Sequence, residues 1–230
     1  MTPTRFKIPS LLALFWLGGF AALQAQIKAP SRDVAFYDAY AVYLQGADRL
    51  EQAWWSNGHN FSLVHEFLYE ERFGLASGLG YSWQNFHNDM MVQSNPGGEE
   101  RYFTVADTAY NRMKLSAHYL YLPVEVRFRT DPNTEGRFWR LYLGARLAWH
   151  TQAYHLLVDD QVKRRTYRLD ELADWRSDAY LRVGYGPVSL YAQYDLTGLF
   201  EGGLLGDHIT ALAAPMDNWR VMALGMSVNL

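Results

Sequence analysis

From about residue 33 onward, apolar and polar residues alternate along eight segments of the chain. Period-two alternation of this kind is typical of β-strands whose two faces meet different surroundings. The stretch before the sixth segment also allows a short helix at Leu169–Ala173. The predicted strands, in chain order, are Asp33–Leu44, Asn60–Tyr69, Arg72–Phe86, Arg112–Arg129, Arg137–Tyr154, Trp175–Tyr185, Val188–Thr197 and Asn218–Leu230.

The two faces of these strands differ sharply in chemistry. On the segment 137–154, one face has Trp139 and Trp149 at the two ends of an apolar row, and the other face carries Arg140 and Arg146. A soluble barrel of about eight strands has a narrow interior, and full rows of Leu, Trp, Tyr and Phe are too bulky for it. We therefore predict that the apolar face contacts lipid and the charged face lines the interior.

Connection lengths point the same way. The links alternate strictly between short and long, as in outer-membrane barrels with short periplasmic turns and long external loops. The short links lie at about 70–71, 130–136 and 186–187, and the long ones at about 45–59, 87–111, 155–174 and 198–217. The sequence thus predicts an all-β fold, an antiparallel up-and-down transmembrane β-barrel of about eight strands.

Composition agrees with a barrel in a membrane. Aromatic residues make up 16% of the chain, and the mean hydropathy of −0.23 is too low for a helical membrane protein. Two aromatic belts at the membrane surfaces account for the excess of aromatic residues; an aromatic-rich soluble β-domain is the alternative. The net charge of −3 gives no reason to expect nucleic acid as a partner, and the absence of cysteine excludes disulfides and thiol chemistry.

The N-terminus has the features of a signal peptide. Arg5 and Lys7 precede an apolar stretch, and small residues end at Ala25. We predict cleavage near Ala25, with residues 1–25 as the signal peptide and residues 26–230 as the barrel domain.

The charged face predicts a salt-bridge network that fills the interior, because an unpaired buried charge would be costly. The predicted network consists of Glu66, Glu125, Arg127, Arg140, Arg146, Arg176, Asp178, Arg182 and Asp195. The predicted interface aromatics are Trp83, Trp139, Trp149, Tyr185 and Trp219. A filled interior argues against a porin.

Catalytic motifs are absent from the sequence: no GxSxG, HExxH, P-loop or GxGxxG pattern occurs. Rim candidates for catalysis are His87 with Asp89, the pair Asp159–Asp160, and Asp207–His208. His150 and His155 do not share a strand face in a regular strand, because their spacing is odd. We therefore expect no cofactor and no metal.

Three segments resemble a known family. Tyr119–Phe128 (YLYLPVEVRF) is similar to a strand of the PorT-like outer-membrane β-barrel family of Bacteroidetes. Gly78–Trp83 (GLGYSW) and Leu141–Ala145 (LYLGA) resemble two further strands. The chain departs from many outer-membrane barrels in ending on Leu230 rather than on an aromatic residue. The resemblance implies a barrel of about eight strands, and the named member is associated with secretion across the outer membrane.

Three hypotheses about function follow. The first is a non-enzymatic protein of the bacterial outer membrane that acts through its extracellular loops, or as an accessory of secretion or envelope assembly. The second is an outer-membrane enzyme that acts on lipid or peptide at the rim. The third is a soluble, lipocalin-like barrel. For the first we expect contacts with outer-membrane lipid or lipopolysaccharide, with the barrel-assembly machinery during insertion, and with a secretion-system or envelope protein.

Overall fold

The computed structural model describes residues 33–47, 50–70, 72–94, 100–104, 111–160, 163–167, 169, 172–200 and 219–230. The predicted signal peptide lies outside these residues. The strands are β1 (Asp33–Gln45), β2 (Asn57–Tyr69), β3 (Phe73–Phe86), β4 (Met90–Ser94), β5 (Glu100–Thr104), β6 (Arg112–Arg129), β7 (Trp139–Val158), β8 (Lys163–Tyr167), β9 (Trp175–Tyr185), β10 (Val188–Asp195) and β11 (Arg220–Asn229). In this part of the chain, no helix is long and apolar enough to cross a membrane.

Eight of the described strands form a closed antiparallel ring. The hydrogen-bonded order is β6-β3-β2-β1-β11-β10-β9-β7, and β6 pairs with β7 to complete it. The predicted all-β barrel is confirmed, since these eight strands match the eight predicted segments to within a few residues at each end. Each strand of the ring pairs with the ring strands that come before and after it in the chain, and β1 pairs with β11. This is the up-and-down topology.

The strands are strongly staggered around the ring. A path of paired residues that leaves β1 at Asp33 and crosses every strand returns to β1 at Tyr43, ten residues further along (43 − 33). A stagger of this kind requires strands that tilt by roughly 35–45° to the barrel axis. Eight tilted strands enclose an interior that side chains can fill.

The short connections lie at one end of the barrel, where β1 begins and β11 ends. At Gly186–Pro187 the turn begins with a φ of 61° at Gly186, a value that favours glycine and suits a two-residue hairpin. Following the short-turn rule, we assign this end to the periplasm and the opposite end, with the long connections, to the exterior.

Three short strands were missed by the sequence prediction. β4 and β5 form a hairpin within the connection 87–111, and β8 pairs with the upper part of β7. Each has only five residues, and β8 (KRRTY) has no apolar row that would mark it in the sequence. The predicted short helix at Leu169–Ala173 lies partly outside the described residues. Leu172, which is described, forms a β-bridge with Phe200.

The two ends of the interior differ in chemistry. Beneath the long connections lies a buried apolar cluster that includes Leu44, Phe86, Leu115, Phe200 and Trp219. This cluster closes much of the outer mouth of the barrel. The charged side chains lie below it, within the membrane-spanning part.

Candidate functional site

The interior of the barrel carries a dense set of buried charges. All nine residues of the predicted network are at most 5% exposed, and Asp38 and Arg129, which the sequence analysis did not single out, join them. Asp38 lies on the inward face of β1, where the alternation is less regular. The inward face of β6 also includes Arg129 at its last residue, where a strand end obscures the alternation.

The periplasmic half of the interior is crossed by a chain of ion pairs. Arg129 pairs with Glu66, whose other oxygen lies 3.3 Å from Nη1 of Arg127. Arg127 also contacts Glu125, with its Nη2 2.6 Å from Oε2. Residues from β2 and β6 are therefore joined across the interior.

Arg182 on β9 links this chain to the opposite wall. Its Nη1 lies 2.5 Å from Oε1 of Glu125, and its Nη2 lies 2.9 Å from Oδ2 of Asp38. The hydroxyl of Tyr180 donates to the same Glu125 oxygen at 2.7 Å. The Glu125 carboxylate thus contacts side chains from β6 and β9, and the Arg182 guanidinium joins Glu125 to Asp38.

A second group of ion pairs occupies the outer half. Nε of Arg146 donates to Asp178 at 2.8 Å, and Nη2 of Arg176 donates to the other oxygen of Asp178 at 3.1 Å. Nε of Arg176 also lies 3.3 Å from Asp195. Gln84 accepts a further hydrogen bond from Arg176 at 3.1 Å.

Uncharged side chains connect the two groups. Asn60 donates to Asp38 at 3.1 Å and to the hydroxyl of Tyr191 at 3.1 Å. Tyr191 in turn donates to Gln193 at 2.9 Å, and Gln193 donates to Asp178 at 3.1 Å. The result is one continuous polar network along the membrane-spanning interior.

Aromatic rings fill the space between the arginines. The guanidinium of Arg182 lies 4.5 Å from the ring of Phe36, and that of Arg146 lies 4.7 Å from the ring of Tyr121. Such cation–π contacts favour a desolvated guanidinium. Among the described residues, Arg140 has no carboxylate partner and instead lies 5.2 Å from the ring of Phe138.

Glycines make room for the larger rings. A Cβ atom added at Gly144 would lie 2.2 Å from Cζ of Tyr180, and one at Gly80 would lie 2.2 Å from Cζ of Tyr121. These separations are far below van der Waals contact, so each tyrosine ring occupies the volume that a side chain at the glycine would need. The interior is therefore packed by matched small and large residues, and the space left for a water-filled channel is small.

The outward face is apolar and bounded by two aromatic belts. Near the periplasmic end, the ring centroids of Trp139 and Tyr185 are 5.3 Å apart. Near the outer end, Trp149 stacks on Trp175 at 6.3 Å. The side chain of Trp83, at the outer end of β3, stacks on a neighbouring histidine, His59, at 5.0 Å.

Trp219 does not lie where the sequence pattern predicts. It is only 1% exposed and packs edge-on against Phe200, with ring centroids 5.6 Å apart. It precedes β11, so strand alternation does not determine its direction, and the apolar cluster at the outer mouth takes it up. Trp219 is therefore a core residue rather than an interface residue.

The rim candidates for catalysis have structural partners in the described part of the chain. Oδ1 of Asp89 accepts a hydrogen bond from the backbone of Glu51 at 2.9 Å. His155, which the sequence analysis considered together with His150, contacts the carbonyl of Met90 at 2.9 Å. Burial lowers the pKa of His87 to about 4, and repulsion by the positive charges of Arg112 and Lys114 adds to this effect.

The remaining rim candidates lie partly within the described residues. The Asp160 carboxylate accepts a hydrogen bond from Asn111 at 2.6 Å, and Asp207–His208 lie outside the described residues. Within the described residues, no group of three or more His, Asp or Glu side chains could hold a metal ion.

A closed eight-stranded ring, an apolar outward face with two aromatic belts and a polar interior together define an integral β-barrel of the outer membrane. The family model described as outer membrane protein beta-barrel domain matches residues 17–201, and the chain belongs to that family. No curated protein matches the chain. The protein is thus an outer-membrane β-barrel protein.

Proposed function

We propose that this protein is a non-enzymatic, non-conducting barrel that acts through its extracellular face. The observation that supports this most directly is the continuous network from Arg129 at the periplasmic end to Asp195 at the outer end. A network of this kind leaves little room for diffusing solutes, so the membrane-spanning part serves as an anchor. Activity then belongs to the connections that project from the outer end.

The connection between β1 and β2 is braced by hydrogen bonds at the outer end of the barrel. The backbone of Ala53 donates to His87 at 2.8 Å, and Gln52 makes two hydrogen bonds with the backbone of Leu44. Trp54 and Trp55 nevertheless remain 85% and 54% exposed on the same connection. Exposed aromatic residues on a braced loop are typical of protein contact sites.

The partner we propose is a secretion-system or envelope protein. The resemblance of Tyr119–Phe128 to a PorT-like strand supports a role as an accessory of secretion. We also expect insertion by the barrel-assembly machinery, because the chain forms an outer-membrane barrel. Capture of a partner by cross-linking from the loop that carries Trp54, compared with a Trp54→Ala, Trp55→Ala variant, tests this part of the proposal. Equal cross-linking in both would contradict it.

Conductance in planar bilayers tests the filled interior. We expect no steady ion current from the wild-type protein. The variant Arg182→Ala, Glu125→Ala should carry no steady current either, because the ion pairs of the outer half and the apolar cluster at the outer mouth remain in place. A steady current through the wild-type barrel would refute the proposal, and heat-modifiable migration on a detergent gel reports folding in each sample.

A further inference from the structure

The pairing partner of β7 changes just above the outer aromatic belt. Among the described residues, β7 pairs with β9 as far as Trp149 and with β8 from Tyr154 onward. Next to Trp149, the backbone of His150 donates to Asp174 at 2.8 Å. A groove of about 550 Å³ lies beside this part of β7, and its lining includes His150, Gln152 and Asp174.

The groove has the chemistry of a sugar site. Its lining offers an imidazole, an amide, a carboxylate and the ring of Tyr167. In the described structure, Nε2 of His150 is buried and has no hydrogen-bond partner. Polar groups of both donor and acceptor type next to an aromatic ring suit a hydroxyl-rich ligand.

A cationic patch adjoins the groove. Nζ of Lys114 lies 5.3 Å from the ring centroid of Tyr154, and the guanidinium of Arg165 lies 4.7 Å from the same ring. Arg165 also donates to the hydroxyl of Tyr167 at 3.0 Å, and Tyr167 lines the groove. Lys114 also donates to Asn85 at 3.0 Å, and each cation has further N–H groups that can donate to an anion.

The position of this patch relative to the membrane identifies the anion. Tyr154 is five residues beyond Trp149 on β7, and the strand contains one irregularity there. With a rise of roughly 3.3 Å per residue and a tilt of about 40°, the patch lies about 10 Å above the outer belt. At that height a membrane presents headgroups and their phosphates rather than acyl chains.

We propose that the outward surface of β7 and β8 binds a phosphorylated glycolipid of the outer leaflet. Lys114 and Arg165 contact a phosphate, and the groove beside Gln152 and Asp174 receives a sugar. The lipid site does not depend on the loops' binding a partner protein. Its occupant is lipopolysaccharide or its lipid A part rather than a phospholipid, because only the former places sugars and phosphates together at this level.

Binding of lipid A to the folded protein in detergent micelles, measured by native mass spectrometry, tests the site. Each cation near a membrane surface strengthens the binding of an anionic lipid about fivefold, and less where the charge is exposed. The double variant Lys114→Gln, Arg165→Gln should therefore bind lipid A about tenfold more weakly. Gln152→Ala should weaken binding about threefold through the sugar.

A matched control removes the same charge elsewhere. Arg164→Gln with Arg137→Gln leaves both patch cations in place and should change binding less than about twofold. Lipid A from which the phosphates have been removed should bind the wild-type protein about tenfold more weakly and should not distinguish it from the patch variant. Heat-modifiable migration shows that each variant is folded.

Three outcomes would overturn the proposal. Equal losses in the patch variant and the control would mean that only net charge matters. Equal binding of lipid A with and without phosphate would remove the role of the cations. Equally tight binding of phosphatidylglycerol would show a general anionic-lipid surface instead of a glycolipid site.

Discussion

Glu125 is the side chain on which the interior network depends most. It accepts hydrogen bonds from Nε of Arg127 at 2.8 Å, from Arg182 at 2.5 Å and from Tyr180 at 2.7 Å. It has no measurable exposure. The substitution Glu125→Gln keeps the shape but removes the negative charge, so its effect isolates the electrostatic contribution.

Both carboxylate oxygens of Glu125 face donors. Arg127 lies on one oxygen, and Arg182 and Tyr180 lie on the other, so a Gln amide group meets an N–H or O–H donor whichever way it is turned. Removing one partner of a buried ion pair costs about 3–5 kcal/mol, since the remaining charge stays buried without compensation. Arg127 keeps Glu66 and Arg182 keeps Asp38 as partners, so we expect Glu125→Gln to lower the free energy of unfolding by about 3 kcal/mol, the lower end of that range.

Urea titration of the protein folded into lipid vesicles measures this change through tryptophan fluorescence, with heat-modifiable migration as the second probe. The matched control is Glu135→Gln on the exposed turn, where the pair with Arg137 is 3.4 Å long and 64% of the Glu135 side chain is exposed. We expect that control to change stability by less than about 0.5 kcal/mol.

A double-mutant cycle tests the cause of the loss. Arg182→Met in the Glu125→Gln background removes one of the two cations that lose a partner in the first change, and it also takes the cation from Asp38. The two changes should therefore be non-additive by about 1–3 kcal/mol in the restoring direction. A Glu125→Gln variant as stable as the Glu135→Gln control, or strictly additive changes, would refute the electrostatic reasoning.

Three further predictions concern other parts of the molecule. Gly144→Ala should destabilise the barrel by about 1–3 kcal/mol in the same urea assay, because the new Cβ meets Tyr180, whereas Ala145→Val on the lipid face should have little effect; equal effects would contradict this. The pKa of His87, about 4, lies below the unfolded value near 6.5, so protonation of this side chain favours the unfolded loop. The loop should therefore be fully protected from hydrogen exchange above pH 6.5 and lose protection as the pH falls towards 4, and His87→Gln should flatten that dependence. Equal protection factors at pH 4.5 and 7.5 would exclude the effect. In single-tryptophan variants, brominated lipids should quench Trp149 strongly and Trp219 weakly, and the reverse order would show that the assignment of their faces is wrong.

The strands of the barrel could be predicted because most of them have a long alternating row of apolar residues. β6 and β9 match their predicted bounds at both ends, and β7 differs by two residues at its start and four at its end. Where alternation stops, prediction fails: the five-residue strands β4, β5 and β8 have too few residues to show a face, and only pairing with a neighbour makes them strands.

The direction of a side chain on a regular strand is also readable from the sequence. Glu125 and Arg127 alternate with Val124 and Val126, and this places the charges on one face before any partner is known. Trp219 shows the limit, since it lies outside a strand and its position depends on Phe200, which is nearby in space but distant in the chain.

The sequence by itself determined the eight strands of the ring, their up-and-down order and their two faces, because these follow from local alternation and connection length. Only the tertiary structure decided which charges meet. Arg182 and Asp38 are separated by 144 residues, and their contact depends on ring closure and on the stagger of the strands. The same holds for the change of partner on β7 beside Trp149, from β9 to β8, because the sequence of any one strand does not specify which strand lies next to it.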